Sequence, residues 1–510
     1  MSTLSRTRPF LLSALTLVCA AALAGGRAVA QEGAPRSKPN IELFNALTPA
    51  ELMQQRLVDT TQATGWNLTT LQQLNSAKSS GALDLARAWR LAVMHDPNYQ
   101  AALSARAAAE TERRQGRAAI LPQVRAGHSR SRITGDQTQY NRLGDGQMFE
   151  LDYDSTNSYI QVQQPVLNYG RYADFKRGVA RAELGAAEFL EMEQTTALEL
   201  ARVYLRALAA ETQLQLAEQL AASLEEQSKA QDRLFEANEG DRIDAQETRA
   251  RLALAQSETI RVRDERNVAL RELAAMTGGA EGPLAPLSDG FTVQPLQPAS
   301  QVDWLAKVRT GNPAVRVAQE ELDVAEAELR RAVARHFPTV DLVVGYSKAD
   351  SENLSSLSQR TNTWTAGLQA NIPIFSGGYD SANRARASAE VEQARNDLRA
   401  AEEIAAAEVT RQYTGVITGV DRIQALQAAV ESSEQSLEAA QASYQYGVRS
   451  NVDVLRSQDR LYEARRQLAD ARLSYLDALA ALWAATGQLD EGAFQALSDV
   501  QLGAQPPNAY

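Results

Sequence analysis

The sequence predicts a membrane protein of mixed α and β structure, built from two tandem repeats that each combine a strand pair with a long helical hairpin. Five landmarks recur in the same order at spacings of 208 to 216 residues, which indicates an internal duplication. Within each copy the hydrophobic period changes from two residues, typical of strands, to about 3.5, typical of coiled coils. The landmarks of the first copy are Asp96-Pro97, Leu121-Pro122, Pro165 to Gly170, Asp244 and Thr277-Gly278; their counterparts are Asn312-Pro313, Phe337-Pro338, Pro373 to Gly378, Asp453 and Thr486-Gly487.

The first 30 residues have the pattern of a secretory signal peptide. Arg6 and Arg8 precede an apolar stretch from Phe10 to Ala24, and Ala28-Val29-Ala30 supplies small residues for cleavage. The single cysteine, Cys19, lies in this segment. We therefore expect an exported mature protein without a disulfide or a cysteine metal site.

The net charge of −11 argues against nucleic-acid binding, which needs a basic surface. After the signal peptide, no run of about 18 apolar residues predicts a membrane helix. Since only helices and closed barrels can span lipid, a β-barrel remains the possible membrane element. We divide the chain into a signal peptide (1–30), an N-terminal extension (31–80), a first repeat (81–278), a linker (279–302), a second repeat (303–487) and a C-terminal tail (488–510).

Two long proline-free segments, from Val166 to Gly282 and from Ile374 to Gln505, predict the helical hairpins. Each breaks once, near Asn238 and at Gly447, and both residue types tolerate the left-handed conformation that ends a helix. The first arms then run from about Gly170 to Ala237 and from Gly378 to Tyr446, each roughly 100 Å long. The seam residues of the second arm are Ile423, Leu426, Val430, Ser433, Leu437, Ala440 and Tyr444, spaced as in a left-handed coiled coil.

Between the paired prolines, apolar and polar residues alternate, which predicts strands over about 123–132, 155–165, 339–348 and 361–373. Polar stretches from Gly135 to Asp154 and from Lys348 to Arg360 predict loops. The alternation fits transmembrane β-strands with Tyr346 and Trp364 as membrane-interface aromatics, and it fits a soluble hairpin equally well. Four strands cannot close a barrel around a pore, whereas three copies of the chain would supply twelve.

The chain resembles the TolC family of outer-membrane channels from about Asp84 to Asp490. The resemblance rests on the duplicated layout, on the helix from Asn312 to Pro338, on Pro373 to Gly378 (PIFSGG) and on Tyr444 to Leu455 (YQYGVRSNVDVL). It implies a homotrimer whose twelve-stranded outer-membrane β-barrel is continued by a twelve-helix coiled-coil tunnel across the periplasm. The implied partners are outer-membrane lipid, a periplasmic adaptor and an inner-membrane ABC or RND transporter, for type I secretion or multidrug efflux.

The resemblance also implies a gate at the hairpin tips. In the family an aspartate of the first repeat holds a tyrosine and an arginine of the second, and those positions are Asp244, Tyr444 and Arg449. A family ring of aspartates at the pore constriction falls at Asp453, where like charges would raise one another's pKa. A second family aspartate falls at Arg456, which is a departure. Arg456 aligns with Glu247 of the first repeat, and we hypothesise that the two form a mixed-charge layer.

Nothing in the sequence predicts an enzyme or a cofactor. His95, His128 and His336 are scattered without metal-ligand spacing, and no phosphate-binding loop or nucleophile elbow occurs. The alternative to a channel is a periplasmic coiled-coil structural or adaptor protein, which would explain the signal peptide and the heptads. That alternative does not explain two strand pairs inserted at the same place in both copies.

Overall fold

The computed structural model describes residues 82–502 except 142, 240, 280, 281, 289, 292, 294, 355 and 356. The predicted signal peptide, the N-terminal extension and the last residues of the tail lie outside the described residues. In chain order the elements are α1 (Leu85–His95), α2 (Pro97–Ala118), β1 (Gln123–Tyr140), β2 (Gly146–Leu167), α3 (Tyr169–Glu236), α4 (Arg242–Thr277), α5 (Gln301–Gly311), α6 (Pro313–Ala334), β3 (Thr339–Leu354), β4 (Leu357–Asn371), α7 (Tyr379–Gln445), α8 (Asn451–Ala485) and α9 (Glu491–Leu502).

The long helices form two antiparallel hairpins, α3 with α4 and α7 with α8. Their lengths are 68 and 36 residues in the first hairpin and 67 and 35 in the second. The first arms thus begin and end within one residue of the bounds that the proline-free segments predict. Both breaks adopt the left-handed conformation expected of them, with φ of +60° at Asn238 and +70° at Gly447.

The short helices begin at the Asp-Pro and Asn-Pro landmarks for a local reason. The Asp96 carboxylate accepts hydrogen bonds from the backbone N–H groups of Asn98 and Tyr99 at 2.7 and 2.9 Å, which caps α2. Proline follows at the first helical position, where its missing N–H costs nothing. Asn312 caps α6 in the same way, and its side-chain amide also donates to the carbonyl of Ala485 at 2.8 Å.

The largest buried side chains lie where the short helices pack against the long ones. The Trp89 ring of α1 stacks on the Phe494 ring of α9 at 5.1 Å between centroids, and the Tyr99 ring meets the Trp89 ring edge-on. Trp304 of α5 is fully buried and donates its indole N–H to the carbonyl of Pro298 at 2.7 Å. These aromatic residues form the core that fixes the ends of α4 and α8 away from the hairpin turns.

The four strands form one antiparallel sheet in the order β1-β2-β3-β4. The predicted strands begin correctly at Gln123 and Thr339, but the strand ends next to the predicted loops are wrong. The stretch from Gly135 to Asp154 is mostly strand rather than loop, and β3 and β4 likewise continue to Leu354 and from Leu357. The backbone hydrogen bonds between the strands continue beyond the residues in which apolar and polar side chains alternate. Cross-strand ion pairs, Arg130 with Asp154 and Arg132 with Asp152, accompany this polar continuation.

Two glycines that follow long helices differ in how closely other atoms approach them. Gly487 has a φ of +68°, and a Cβ built there would lie 2.2 Å from the carbonyl oxygen of Gly311. Gly447 has a similar φ of +70° but no atom within 4 Å of such a Cβ. Alanine substitutions at the two positions therefore distinguish the free-energy cost of a left-handed backbone from the additional cost of steric overlap.

We expect Gly487→Ala to destabilise the protein by about 2–4 kcal/mol, because it adds overpacking to left-handed strain. Gly447→Ala, the matched control, is expected to cost only about 1 kcal/mol. The measurement is loss of helical circular dichroism on heating the detergent-purified protein. Equal losses in the two variants would contradict the close approach of Gly487 to Gly311.

Candidate functional site

The register of the sheet separates its side chains into an apolar face and a polar face. Directly opposed residues share a face, so one row contains Ala126, Ile160, Tyr346 and Trp364, and the next contains Val124, Val162, Val344 and Ala366. Large members of this face are exposed in the single chain: Trp364 is 70% and Leu368 69% accessible. A patch of this kind marks a surface that contacts lipid or protein.

The opposite face of the sheet is polar. The Gln163 amide donates to the Asp341 carboxylate at 3.0 Å across β2 and β3. Tyr159 lies over Gly127, where an added Cβ would approach the ring to 2.6 Å, so the glycine makes room for the aromatic side chain. The combination of one apolar and one polar face suits a sheet between lipid and water.

Tyr346 and Trp364 mark the end of the apolar face. Their ring centroids lie 4.9 Å apart on opposed residues of β3 and β4. The next row on the same face contains His128, Ser158, Lys348 and Asn362, and charged residues follow beyond it. Aromatic residues at such a boundary are typical of a membrane interface, as the sequence predicts for this pair.

The predicted gate residues lie at the turns of the two hairpins, but the single chain does not join them directly. Tyr444, in the last turn of α7, accepts a hydrogen bond from the side-chain amide of Gln231 at 2.8 Å. Asp244 lies in the first turn of α4, where burial and, to a smaller extent, Asp241 raise its pKa. Arg449 is exposed in the α7–α8 turn and, across the described part of the chain, forms no salt bridge with Asp244. The Asp244–Arg449 contact stays a prediction.

Asp453 has a local structural role that the sequence analysis does not include. It is the third residue of α8 and forms a capping box with Ser450, whose hydroxyl donates to the Asp453 carboxylate at 2.9 Å. These bonds lower the pKa of Asp453, and Arg449 and Arg456 add to the effect. Within one chain the pKa therefore shifts in the direction opposite to that expected for a ring of three aspartates. The Ser-x-x-Asp pattern was a signal for this cap.

Glu247 and Arg456 form no ion pair with each other in the part of the chain that the structure describes. The Glu247 carboxylate lies 3.3 Å from the guanidinium of Arg251, one turn further along α4, and Arg251 also contacts Asp459 of α8 at 2.7 Å. Arg251 therefore connects the two hairpins at the level where a mixed-charge layer was predicted. Arg456 is exposed beside this group.

A comparison with known protein families shows to which family the chain belongs. The model of the outer membrane efflux protein family matches residues 89–279 and 304–488. The chain belongs to the outer membrane efflux protein family. That assignment confirms the predicted resemblance to TolC-like channels and the predicted outer-membrane location, and the family is one of conduits rather than enzymes.

Individual relatives of this outer membrane efflux protein agree with the assignment. The alkaline protease secretion protein AprF of Pseudomonas aeruginosa is 34% identical over 412 residues, which cover 80% of this chain and 85% of AprF. TolC of Escherichia coli is 24% identical over 431 residues, which cover 82% and 85%. The predicted function, an exit channel for secretion or efflux, is thereby confirmed. The solved CmeC channel of Campylobacter jejuni has the same fold, with a TM-score of 0.69 at 15% identity over 83% of this chain and 90% of CmeC.

None of the helices that the structure describes in this family member is long and apolar enough to cross a membrane. Within the same described residues, no group of three or more histidine, cysteine, aspartate or glutamate side chains could hold a metal ion.

A set of uncharged polar residues at the hairpin tips of the outer membrane efflux protein is not among the predicted site residues. Asn451, Thr248 and Gln231 are almost completely buried between the hairpins. A partial signal existed for Gln231, because it occupies a seam position of the first arm among apolar and small residues. Asn451 gave no such signal, since it directly follows the cap of α8 and sits in an otherwise polar turn.

Proposed function

We propose that three copies of this chain form the outer-membrane exit channel of a type I protein secretion system. The observation that carries the proposal is the four-stranded sheet, with one exposed apolar face, one polar face, and edges at β1 and β4 that no other strand among the described residues pairs with. Open edges are not tolerated in lipid, because their backbone groups would lack hydrogen bonds. Pairing β1 of one chain with β4 of the next closes a twelve-stranded barrel.

The two tandem repeats supply the tunnel in this proposal. The helices of the two hairpins differ in length by one residue each, so six similar hairpins from three chains build a twelve-helix coiled-coil wall. The small residues of the seams allow close helix contacts. A tunnel about 100 Å long, the length of the first arms, then extends from the barrel through the periplasm.

The channel acts as a passive conduit in this proposal. An inner-membrane transporter supplies the energy, and a periplasmic adaptor joins that transporter to the hairpin tips. The similarity to the alkaline protease secretion protein favours an ABC transporter and a protein cargo over an RND transporter and a drug.

The tips close the channel through contacts between neighbouring chains. Arg449 is exposed and projects from the turn, so its guanidinium is available to the Asp244 carboxylate of the adjacent copy. Asp453 and Arg456 lie one turn apart at the start of α8 and line the constriction, with Glu247 on the other hairpin.

Deletion of the gene tests the proposal. Loss of secreted proteins with unchanged drug sensitivity supports type I secretion, whereas increased drug sensitivity with an unchanged secretome indicates efflux. The wild-type protein should also fractionate with outer membranes and run as a trimer in mild detergent. A monomer in the soluble periplasmic fraction would instead indicate the coiled-coil adaptor alternative.

A further inference from the structure

Asn451 is the centre of a buried hydrogen-bond cluster that joins the two hairpins at their tips. Its side chain has 0% solvent accessibility at the first position of α8. The Asn451 amide nitrogen donates to the hydroxyl of Thr248 at 2.9 Å and to the backbone carbonyl of Asp244 at 3.5 Å. The Asn451 carbonyl oxygen accepts from the amides of Gln227 at 2.9 Å and Gln231 at 3.4 Å. Both donors and the acceptor of the asparagine are thus used.

The cluster continues to Tyr444 and thereby connects two of the three proposed gate residues. The Gln231 amide that contacts Asn451 also donates to the Tyr444 hydroxyl at 2.8 Å. On the other side, Thr248 donates its hydroxyl to the backbone carbonyl of Asp244 at 2.8 Å. Two buried amides, those of Asn451 and Gln231, therefore lie between Asp244 of the first hairpin and Tyr444 of the second, and α3, α4, α7 and α8 all contribute to the cluster.

The hydrogen bonds of the cluster are expected to form and break together. Buried amides and hydroxyls need partners, because water cannot replace the bonds that are lost. Moving the α7–α8 tip away from the α3–α4 tip would break the bonds of Asn451 to Gln227 and to Thr248 together, and Thr248 would keep only its bond to the Asp244 carbonyl. Such a contact favours two discrete arrangements of the hairpins over a continuous range.

We propose that Asn451 is a positioning residue of the gate, which fixes the Asp244 backbone and the Tyr444 hydroxyl relative to each other in the closed tip. The proposal rests on the proposed function, because it presupposes a channel that closes at these turns. Asn451 acts through the two gate residues and does not itself contact the neighbouring chain.

The test compares single-channel recordings of the purified full-length protein and its variants in planar lipid bilayers. Asn451→Leu keeps the volume but removes every polar contact of the side chain. Because the loss of one net hydrogen bond shifts an equilibrium by about fivefold, we expect the open fraction of the recordings to rise at least about fivefold. Thr248→Val removes one partner without changing its shape and should shift the open fraction in the same direction, so the test does not depend on one variant folding.

Gln458→Leu is the matched control. The buried Gln458 amide donates to the hydroxyl of Ser223 at 2.8 Å, so it is also a polar contact between α8 and α3, about two turns from Asn451. We expect it to lower the thermal midpoint without changing the open fraction. If Asn451→Leu and Gln458→Leu both lower the midpoint and neither opens the channel, Asn451 is merely structural and the proposal is overturned.

A double variant tests whether Asn451 acts through Tyr444. Tyr444→Phe removes the hydroxyl that Gln231 contacts, so Asn451→Leu should add little to the open fraction of a protein that already carries Tyr444→Phe. Fully additive effects would overturn the proposed route. A wild-type protein with no conductance at all would refute the proposed channel, whereas a conducting wild type with unchanged Asn451 and Thr248 variants would refute the present proposal alone.

Discussion

Replacing Arg449 with serine is expected to raise the single-channel conductance of the purified protein and to leave the stability of each chain nearly unchanged. Arg449 is exposed, and among the residues that the structure describes it forms no salt bridge within its own chain. Its partner in the proposed gate is Asp244 of a neighbouring copy. A charge-assisted hydrogen bond of this kind contributes about 1.5–3 kcal/mol, and the closed trimer contains three of them by symmetry.

The measurement for Arg449→Ser is a bilayer recording alongside a thermal melt of the same preparation. Arg233→Ser is the control, because Arg233 is also an exposed arginine near the tip, in the last turn of α3, and its loss changes the net charge equally. Higher conductance in the Arg449 variant alone supports a gate contact between chains. Conductance equal to that of the wild type would mean that closure depends on other contacts.

Replacing Arg456 with aspartate is expected to make the channel strongly cation-selective and more sensitive to block by divalent cations. The substitution changes the charge by two units per chain at a position one turn from Asp453. In a trimer it places a second ring of carboxylates beside the first, and such rings attract cations. The reversal potential in a salt gradient reports the change. The same potential in wild type and variant would place Arg456 outside the conducting path.

The pH dependence of selectivity gives a second measurement on the Arg456 variant. In the wild type the pKa of Asp453 lies below its ordinary value, owing to Ser450 first and then to Arg449 and Arg456. The contacts within one chain thus favour the charged form of Asp453, and Arg456 contributes to that preference. In Arg456→Asp one of these contributions is replaced by a like charge, so cation selectivity should decline at a higher pH than in the wild type.

The long helices could be predicted almost to the residue, because local chemistry determines where they begin and end. Proline-free runs, steps of three and four, and one glycine or asparagine break specify α3 and α7 without reference to other elements. The strand ends could not be predicted in this way. The polar residues from Gly135 to Tyr140 gain their strand conformation from the ladder with β2, which depends on pairing rather than on their own hydrophobic pattern.

In the candidate site, as in the fold, local sequence predicts some features, whereas others depend on tertiary packing. The choice of Asp244, Tyr444 and Arg449 is implied by the resemblance to the TolC family, and the predicted helix breaks place them at the two turns, whereas neither indicates their partners within one chain. Arg251 takes the place beside Glu247 because it lies one turn away on the same helix face. Asn451 is buried only because four helices meet around it, and no pattern within α8 reveals that meeting.

The strand extensions beyond Tyr346 and Trp364 have a consequence for the outer surface of the cell. In the proposed orientation the paired strands continue toward that surface, and the turn that joins β1 to β2 begins after Tyr140 and ends before Gly146. Between these strands the Asn141 side chain accepts hydrogen bonds from the backbone N–H groups of Leu143 and Asp145, both at 2.9 Å. An epitope tag intended for surface labelling belongs in this turn, where it leaves the strand ladder intact.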